Sequence, residues 1–93
     1  MAVITVDTSL MGSEGAWIAY NSGVQAFLRL RGVPLMRSNE SVSDALSRAP
    51  GFIRCTNDGI EFRDQGIAEQ LLGCLKRTMY GHSPALESAF GLL

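Results

Sequence analysis

Hydrophobic and polar residues recur along the chain with two different periods, which together predict the order of its secondary-structure elements. Residues 2–6 are rich in β-branched side chains and mostly apolar on both faces, which predicts a strand. From residue 14 to residue 31 the apolar side chains follow helical spacing, and Gly32 followed by Pro34 predicts the end of that helix. The tripeptide Asn21-Ser22-Gly23 leaves open whether the helix breaks in two.

Residues 40–49 are predicted to form a short helix, because their apolar side chains follow the i, i+3, i+4, i+7 spacing of one helix face. Ser41 begins a sequence typical of a capping box, and Asn39 is an equally good N-cap. Pro50-Gly51 predicts the end of this helix.

A β-hairpin is predicted next, with Asp58-Gly59 as a two-residue turn between two alternating runs. This turn pairs Cys55 with Phe62 and Arg54 with Arg63, so that two guanidinium groups face solvent. Like charges directly opposite each other are unfavourable, and either Glu61 nearby or an anionic partner would offset them. The buried face of the hairpin is predicted to contain Ile53, Cys55, Ile60 and Phe62.

The C-terminal third is predicted to be helical. Residues 65–80 read as a second long helix with Asp64 as its N-cap, and Ser83-Pro84 begins a short apolar helix that reaches Leu93. The last helix either packs on the core of its own chain or serves as a dimerisation or docking helix. The side chains that would form this docking face are Leu86, Phe90 and Leu93.

The order β-α-α-β-β-α-α predicts a small α+β fold, with residues 1–93 as a single globular domain. Residues 14–64 resemble the winged-helix arrangement in their element order, a helix, a short helix and a hairpin. The linker from Gly32 to Asn39 is longer than the tight turn of a helix-turn-helix. The alternative is an α+β sandwich, in which a three-stranded antiparallel sheet of residues 2–6, 52–57 and 60–63 carries helices on one face.

Composition narrows the function classes. The chain is 46% hydrophobic and 18% charged, which is too apolar for a disordered protein. No uncharged apolar stretch approaches the ~18 residues of a membrane span, and the N-terminus lacks the features of a signal peptide, so a soluble, cytoplasmic protein is expected. Two cysteines and one histidine are too few for a disulfide framework or a structural zinc site, and no cofactor is expected.

Charge is distributed unevenly although the net charge is only -1. Residues 29–55 contain five arginines and two acidic residues, a local net charge of +3. Arg29, Arg31 and Arg37 are interpreted as a solvated helix end and loop. The residues predicted to bind a partner are Arg48, Arg54, Asn57 and Arg63.

Two non-enzymatic functions follow as hypotheses. The first is a small adaptor, inhibitor or regulatory protein that binds a protein partner through the arginine-bearing hairpin or the C-terminal helix; a phage- or plasmid-encoded inhibitor would have the same form. The second is a winged-helix DNA-binding regulator, in which the hairpin contacts phosphates and a homodimer doubles the basic patch. Its DNA-reading residues would be Asn39, Ser41, Ser43 and Arg48.

Overall fold

Helices and strands follow one another in the order β-α-α-β-β-α-β-β-β over the residues that the computed structural model describes, which are 1–12, 14–78, 81–82 and 88–93. A single 3-10 turn at Leu10–Gly12 precedes the first helix. The elements are β1 (Ala2–Val6), α1 (Glu14–Arg31), α2 (Val42–Leu46), β2 (Phe52–Thr56), β3 (Gly59–Phe62), α3 (Gln65–Lys76), β4 (Arg77–Thr78), β5 (Gly81–His82) and β6 (Phe90–Leu92).

Four of the strands form an antiparallel sheet in the order β2-β3-β1-β6. The N-terminal strand β1 is central: Ile4 pairs with Ile60 of β3 on one side and with Leu92 of β6 on the other. Strands β4 and β5 form a separate two-stranded ribbon. The predicted α+β class is therefore confirmed, with one strand more in the sheet than the sandwich alternative contains, whereas the resemblance to a winged helix stays a prediction.

The core lies between one face of this sheet and the two long helices. Alternate residues of β1 and β3 point to that face, and Ile4, Ile60 and Phe62 are at most 1% exposed. Phe27 of α1 meets Phe62 edge-on, with ring centroids 6.2 Å apart. Burial of apolar side chains such as these is the dominant favourable contribution to folding.

Helix α1 is continuous through Asn21-Ser22-Gly23, so the possible break does not occur. A Cβ atom at Gly23 would lie 2.9 Å from both the carbonyl oxygen of Cys74 and the Cα of Leu75 in α3. The glycine therefore lies at a point where the two long helices approach closely, and it has a packing role rather than a helix-breaking one.

Helix α2 is shorter than the predicted helix over residues 40–49, because it spans only Val42–Leu46. Ser41 is its N-cap, and the Oγ atom of Ser41 accepts a hydrogen bond of 3.1 Å from the backbone N–H of Asp44. Gly51 adopts a left-handed conformation, with φ of 79°, and leads the chain into β2.

The register of the hairpin differs from the prediction. Thr56 pairs with Gly59, so Asn57-Asp58 is the turn and Gly59 belongs to β3. A Cβ atom at Gly59 would collide with the carbonyl oxygen of Ile4 in β1. A glycine is therefore needed here because β1 and β3 approach closely. This requirement comes from the tertiary fold, and the local Asp-Gly turn signal gives no indication of it.

A register irregularity between Phe52 and Arg54 further changes the buried face. Phe52 packs against the core, edge-on to Phe62 at 5.8 Å, whereas Ile53 is 37% exposed. The prediction that Ile53 is buried was wrong, while Cys55, Ile60 and Phe62 do lie on the core face.

The C-terminal end also differs from the prediction. Phe90–Leu92 is strand β6 rather than helix, and residues 83–87, including Leu86, lie outside the described residues. Helix α3 ends at Lys76, and its N-cap is Asp64 as predicted, with Oδ1 accepting from the backbone N–H of Ile67 at 3.2 Å. No helix of the described ranges has the length and hydropathy needed to cross a membrane.

Candidate functional site

The long loop between α1 and α2 is fastened by Arg48, one of the predicted partner-binding residues. Its Nε donates to the carbonyl oxygen of Pro34 at 3.2 Å, and one terminal nitrogen donates to that of Leu35 at 3.0 Å. The guanidinium also forms a bidentate ion pair with Glu40, at 2.7 and 2.9 Å. Most donors of Arg48 are therefore used within the chain, which leaves little of this group for a partner.

Gln25 of α1 holds the same loop from the other side. Its side-chain amide donates to the carbonyl oxygen of Met36 at 2.8 Å and accepts from the backbone N–H of Met36, also at 2.8 Å. The side-chain amide of Gln25 thus pairs with the backbone of Met36 as a backbone amide of a neighbouring β-strand would. These two hydrogen bonds fix the loop against the outer side of α1.

The hydrogen bonds from Arg48 hold the pKa of Glu40 well below its usual range, at about 2. Glu40 is consequently ionised in the folded protein under all but strongly acidic conditions. Its carboxylate also accepts from the backbone N–H of Arg37 at 3.2 Å, so one side chain binds both Arg48 and the middle of the loop.

We expect the Glu40→Gln variant to lose stability relative to the wild type most at neutral pH and least near pH 2. An unfolded glutamate titrates with a pKa of about 4.3, so the unfolded state binds more protons than the folded state between that pH and the lower folded pKa. The contribution is complete above the unfolded pKa and is lost as the pH falls through the folded pKa. Urea unfolding followed by circular dichroism over this pH range measures the difference.

Arg48→Met removes the same ion pair by replacing the arginine. The stability of this variant should therefore also lack the pH dependence that Glu40 gives to the wild type. If the stability of the wild type changed with pH in the same way as that of Glu40→Gln, this would show that Glu40 is not held by Arg48 in solution.

A cleft of about 710 Å³ opens between the outer side of α1 and this fastened loop. Three exposed arginines line it, each from a different part of the chain: Arg29 from the last turns of α1, Arg37 from the loop, and Arg77 from β4, directly after α3. None of the three forms an ion pair within the described residues. The cleft therefore gathers three positive charges in one place.

Glu40 also lines the cleft, but its negative charge is engaged by Arg48. Sequence reasoning missed this site, because it treated Arg29 and Arg37 as solvated and did not name Arg77 among the candidate binding residues. The local excess of +3 over residues 29–55 was the available signal. Arg77 lies far along the chain, and only the tertiary fold brings it to the other two.

The hairpin does not present the predicted pair of facing arginines. Arg54 lies opposite Glu61 and forms an ion pair with it, whereas Arg63 follows the end of β3 and is exposed. Glu61 is only 7% exposed, and its carboxylate is bound by the Arg54 guanidinium. Asn57 is exposed in the turn. The charge of Arg54 is therefore already offset within the sheet.

The four residues considered for DNA reading do not form one exposed helix face. Asn39 and Ser41 are exposed beside α2, but Ser43 is half-buried near Cys55, and Arg48 is held by the loop. With five residues, α2 is roughly 7.5 Å long at the usual helical rise. This short helix gives little surface for a groove of duplex DNA.

The two thiols are half-buried and free. Burial raises the pKa of both Cys55 and Cys74, so both remain protonated at neutral pH. Burial likewise raises the pKa of Tyr20, which lines a small cavity of about 200 Å³ beside Cys55, to about 12. Within the described ranges, no three histidine, cysteine or acidic side chains lie together as metal ligands.

The chain has no significant match among family models, curated proteins or solved structures. The interpretation of the cleft therefore depends on its geometry and charge.

Proposed function

We propose that this protein is a small non-enzymatic interaction module that binds an acidic surface of a protein partner in the cleft between α1 and the loop over residues 33–41. The observation that carries the proposal is the convergence of Arg29, Arg37 and Arg77 on one fastened cleft without an ion pair among the described residues. Guanidinium groups bind carboxylates through two parallel hydrogen bonds, which gives both affinity and orientation.

A fixed cleft favours binding because its loop needs no ordering when a partner arrives. Gln25 and Arg48 hold that loop through hydrogen bonds to Met36, Leu35 and Pro34. Preorganisation of this kind lowers the entropy cost of association. An adaptor, an inhibitor or a regulatory protein is the type of molecule that uses such a site.

DNA binding by a winged-helix domain remains the second hypothesis, and the element order is what favours it. Phosphate neutralisation dominates the affinity of DNA-binding proteins, and here the net charge is -1 with a pI near 5.7. The brevity of α2 and the internal use of Arg48 also favour a protein partner.

We expect the protein to bind a fluorescein-labelled oligoglutamate peptide at low salt, with an affinity that falls as salt increases. Neutralising two cleft residues in the double variant Arg29→Gln/Arg37→Gln should weaken binding about tenfold, which is about 1.4 kcal/mol. Fluorescence anisotropy measures the affinities, and a duplex DNA labelled in the same way provides the comparison.

The matched control is Arg54→Gln/Arg63→Gln, which changes the net charge by the same amount at the hairpin. Its affinity for oligoglutamate should stay close to that of the wild type, with melting temperatures confirming that both variants fold. If the double control unfolds, Arg63→Gln is compared with Arg29→Gln, since each removes one charge. Equal losses in both variants would mean that binding follows net charge only. Tight, salt-dependent binding of DNA without binding of the peptide would instead support the winged-helix hypothesis.

A further inference from the structure

We infer that the cleft recognises a specific kind of acidic segment, one in which an aliphatic side chain is flanked by carboxylates. This inference rests on the proposed function, because it assigns the chemistry of the segment that the same cleft would hold. It follows from the arrangement of apolar and charged groups within the cleft.

The cleft contains an apolar strip as well as its three arginines. Ala26 of α1, Met36 of the loop and Val42 of α2 all line it. Met36 and Val42 are partly buried and packed against the core, so they form a firm base, while Ala26 is exposed on the helix. An aliphatic side chain placed on this strip would remove apolar surface from water on both partners.

The polar groups at the same site orient a peptide rather than repel it. Asn21, Ser22 and Ser38 line the cleft with groups that can donate to or accept from a peptide backbone. The methionine adds adaptability, because its unbranched side chain fits apolar groups of different shape.

The same lining argues against a nucleotide or a single-stranded nucleic acid as the occupant. Such ligands are held by aromatic rings on which bases stack, and none of the described residues that line the cleft is aromatic.

Three labelled peptides of equal length test the inference by fluorescence anisotropy. The first has a leucine between glutamates, the second has serine in place of the leucine, and the third has glutamine in place of the glutamates. The wild-type protein should bind the leucine peptide about tenfold more tightly than the serine peptide, and it should bind the glutamine peptide weakest.

Ala26→Gln places a longer polar side chain on the apolar strip without changing the charge or the helix propensity much. This variant should lose the preference for leucine and keep its affinity for the serine peptide. Ile18→Gln is the matched control, because Ile18 is 51% exposed on the same helix and does not line the cleft. It should retain the preference for leucine.

The outcomes separate the inference from the function on which it rests. Equal affinity of the wild type for the leucine and serine peptides, with the arginine dependence intact, would overturn the apolar anchor and leave the cationic cleft standing. If neither acidic peptide bound, both would be overturned. Displacement of the leucine peptide by single-stranded DNA at lower concentration than by unlabelled peptide would assign the cleft to nucleic acid and overturn the inference.

Discussion

Replacing Phe90 by alanine should destabilise the folded protein by about 3 kcal/mol or more, since large-to-small changes at a buried phenylalanine cost roughly 3–5 kcal/mol. Phe90 is 3% exposed, and its ring stacks on that of Tyr20 in α1 with centroids 5.8 Å apart. The substitution would leave a cavity where β6 meets the helix layer. In a domain of this size the melting temperature should fall by on the order of 15 °C.

Leu93→Ala is the matched control at the same end of the chain. Leu93 is 86% exposed, so its truncation should change the free energy of unfolding by less than about 0.5 kcal/mol. If this end of the chain were instead the predicted docking or dimerisation helix, Phe90 and Leu93 would act together in association. Both substitutions would then weaken association, and neither would greatly change stability. Light scattering of both variants, alongside thermal unfolding, distinguishes the two: a change in molar mass with little loss of stability would contradict the core position of Phe90.

Most of the elements could be predicted because each is specified by residues that are close together along the chain. The strand over residues 2–6 and the helix over residues 14–31 were predicted with the bounds that the structure has. The caps at Ser41 and Asp64 also follow from short-range chemistry, because a side-chain oxygen three residues before an orphan N–H stabilises the first turn of a helix.

The errors arise where tertiary contacts override a local signal. Asp58-Gly59 has the sequence of a tight turn, but Gly59 is required in β3, where a side chain would meet the backbone of β1. Phe90–Leu92 has apolar residues that also fit a helix face, but this segment pairs with the edge of β1 that β3 does not occupy, and it forms a strand there. Neither strand neighbour can be deduced from the segment itself.

The cleft was beyond sequence reasoning for a related reason. Arg48 was expected to face a partner, because its exposed-looking position at a helix end contains no information about the carbonyl groups of Pro34 and Leu35. Arg29 and Arg37, which form no ion pair within the described residues, were assigned to solvent. Which cations are paired and which are free depends on the path of a loop, and periodicity does not describe that path.

Gly23→Ala should destabilise the protein by about 2 kcal/mol, although alanine is the better helix former by about 1 kcal/mol. The new Cβ would lie 2.9 Å from backbone atoms of Cys74 and Leu75, which cannot move aside as a flexible side chain could. Helices α1 and α3 would have to separate, and overpacking of this kind costs roughly 1–3 kcal/mol or more.

Gly73→Ala in α3 is the control, because a Cβ there meets nothing within 4 Å. It should stabilise the protein by about 0.5–1 kcal/mol through helix propensity and the unfolded-state entropy of glycine. Denaturant unfolding of the two variants therefore gives shifts of opposite sign, and a gain in stability for both would show that α1 and α3 are not in close contact at Gly23.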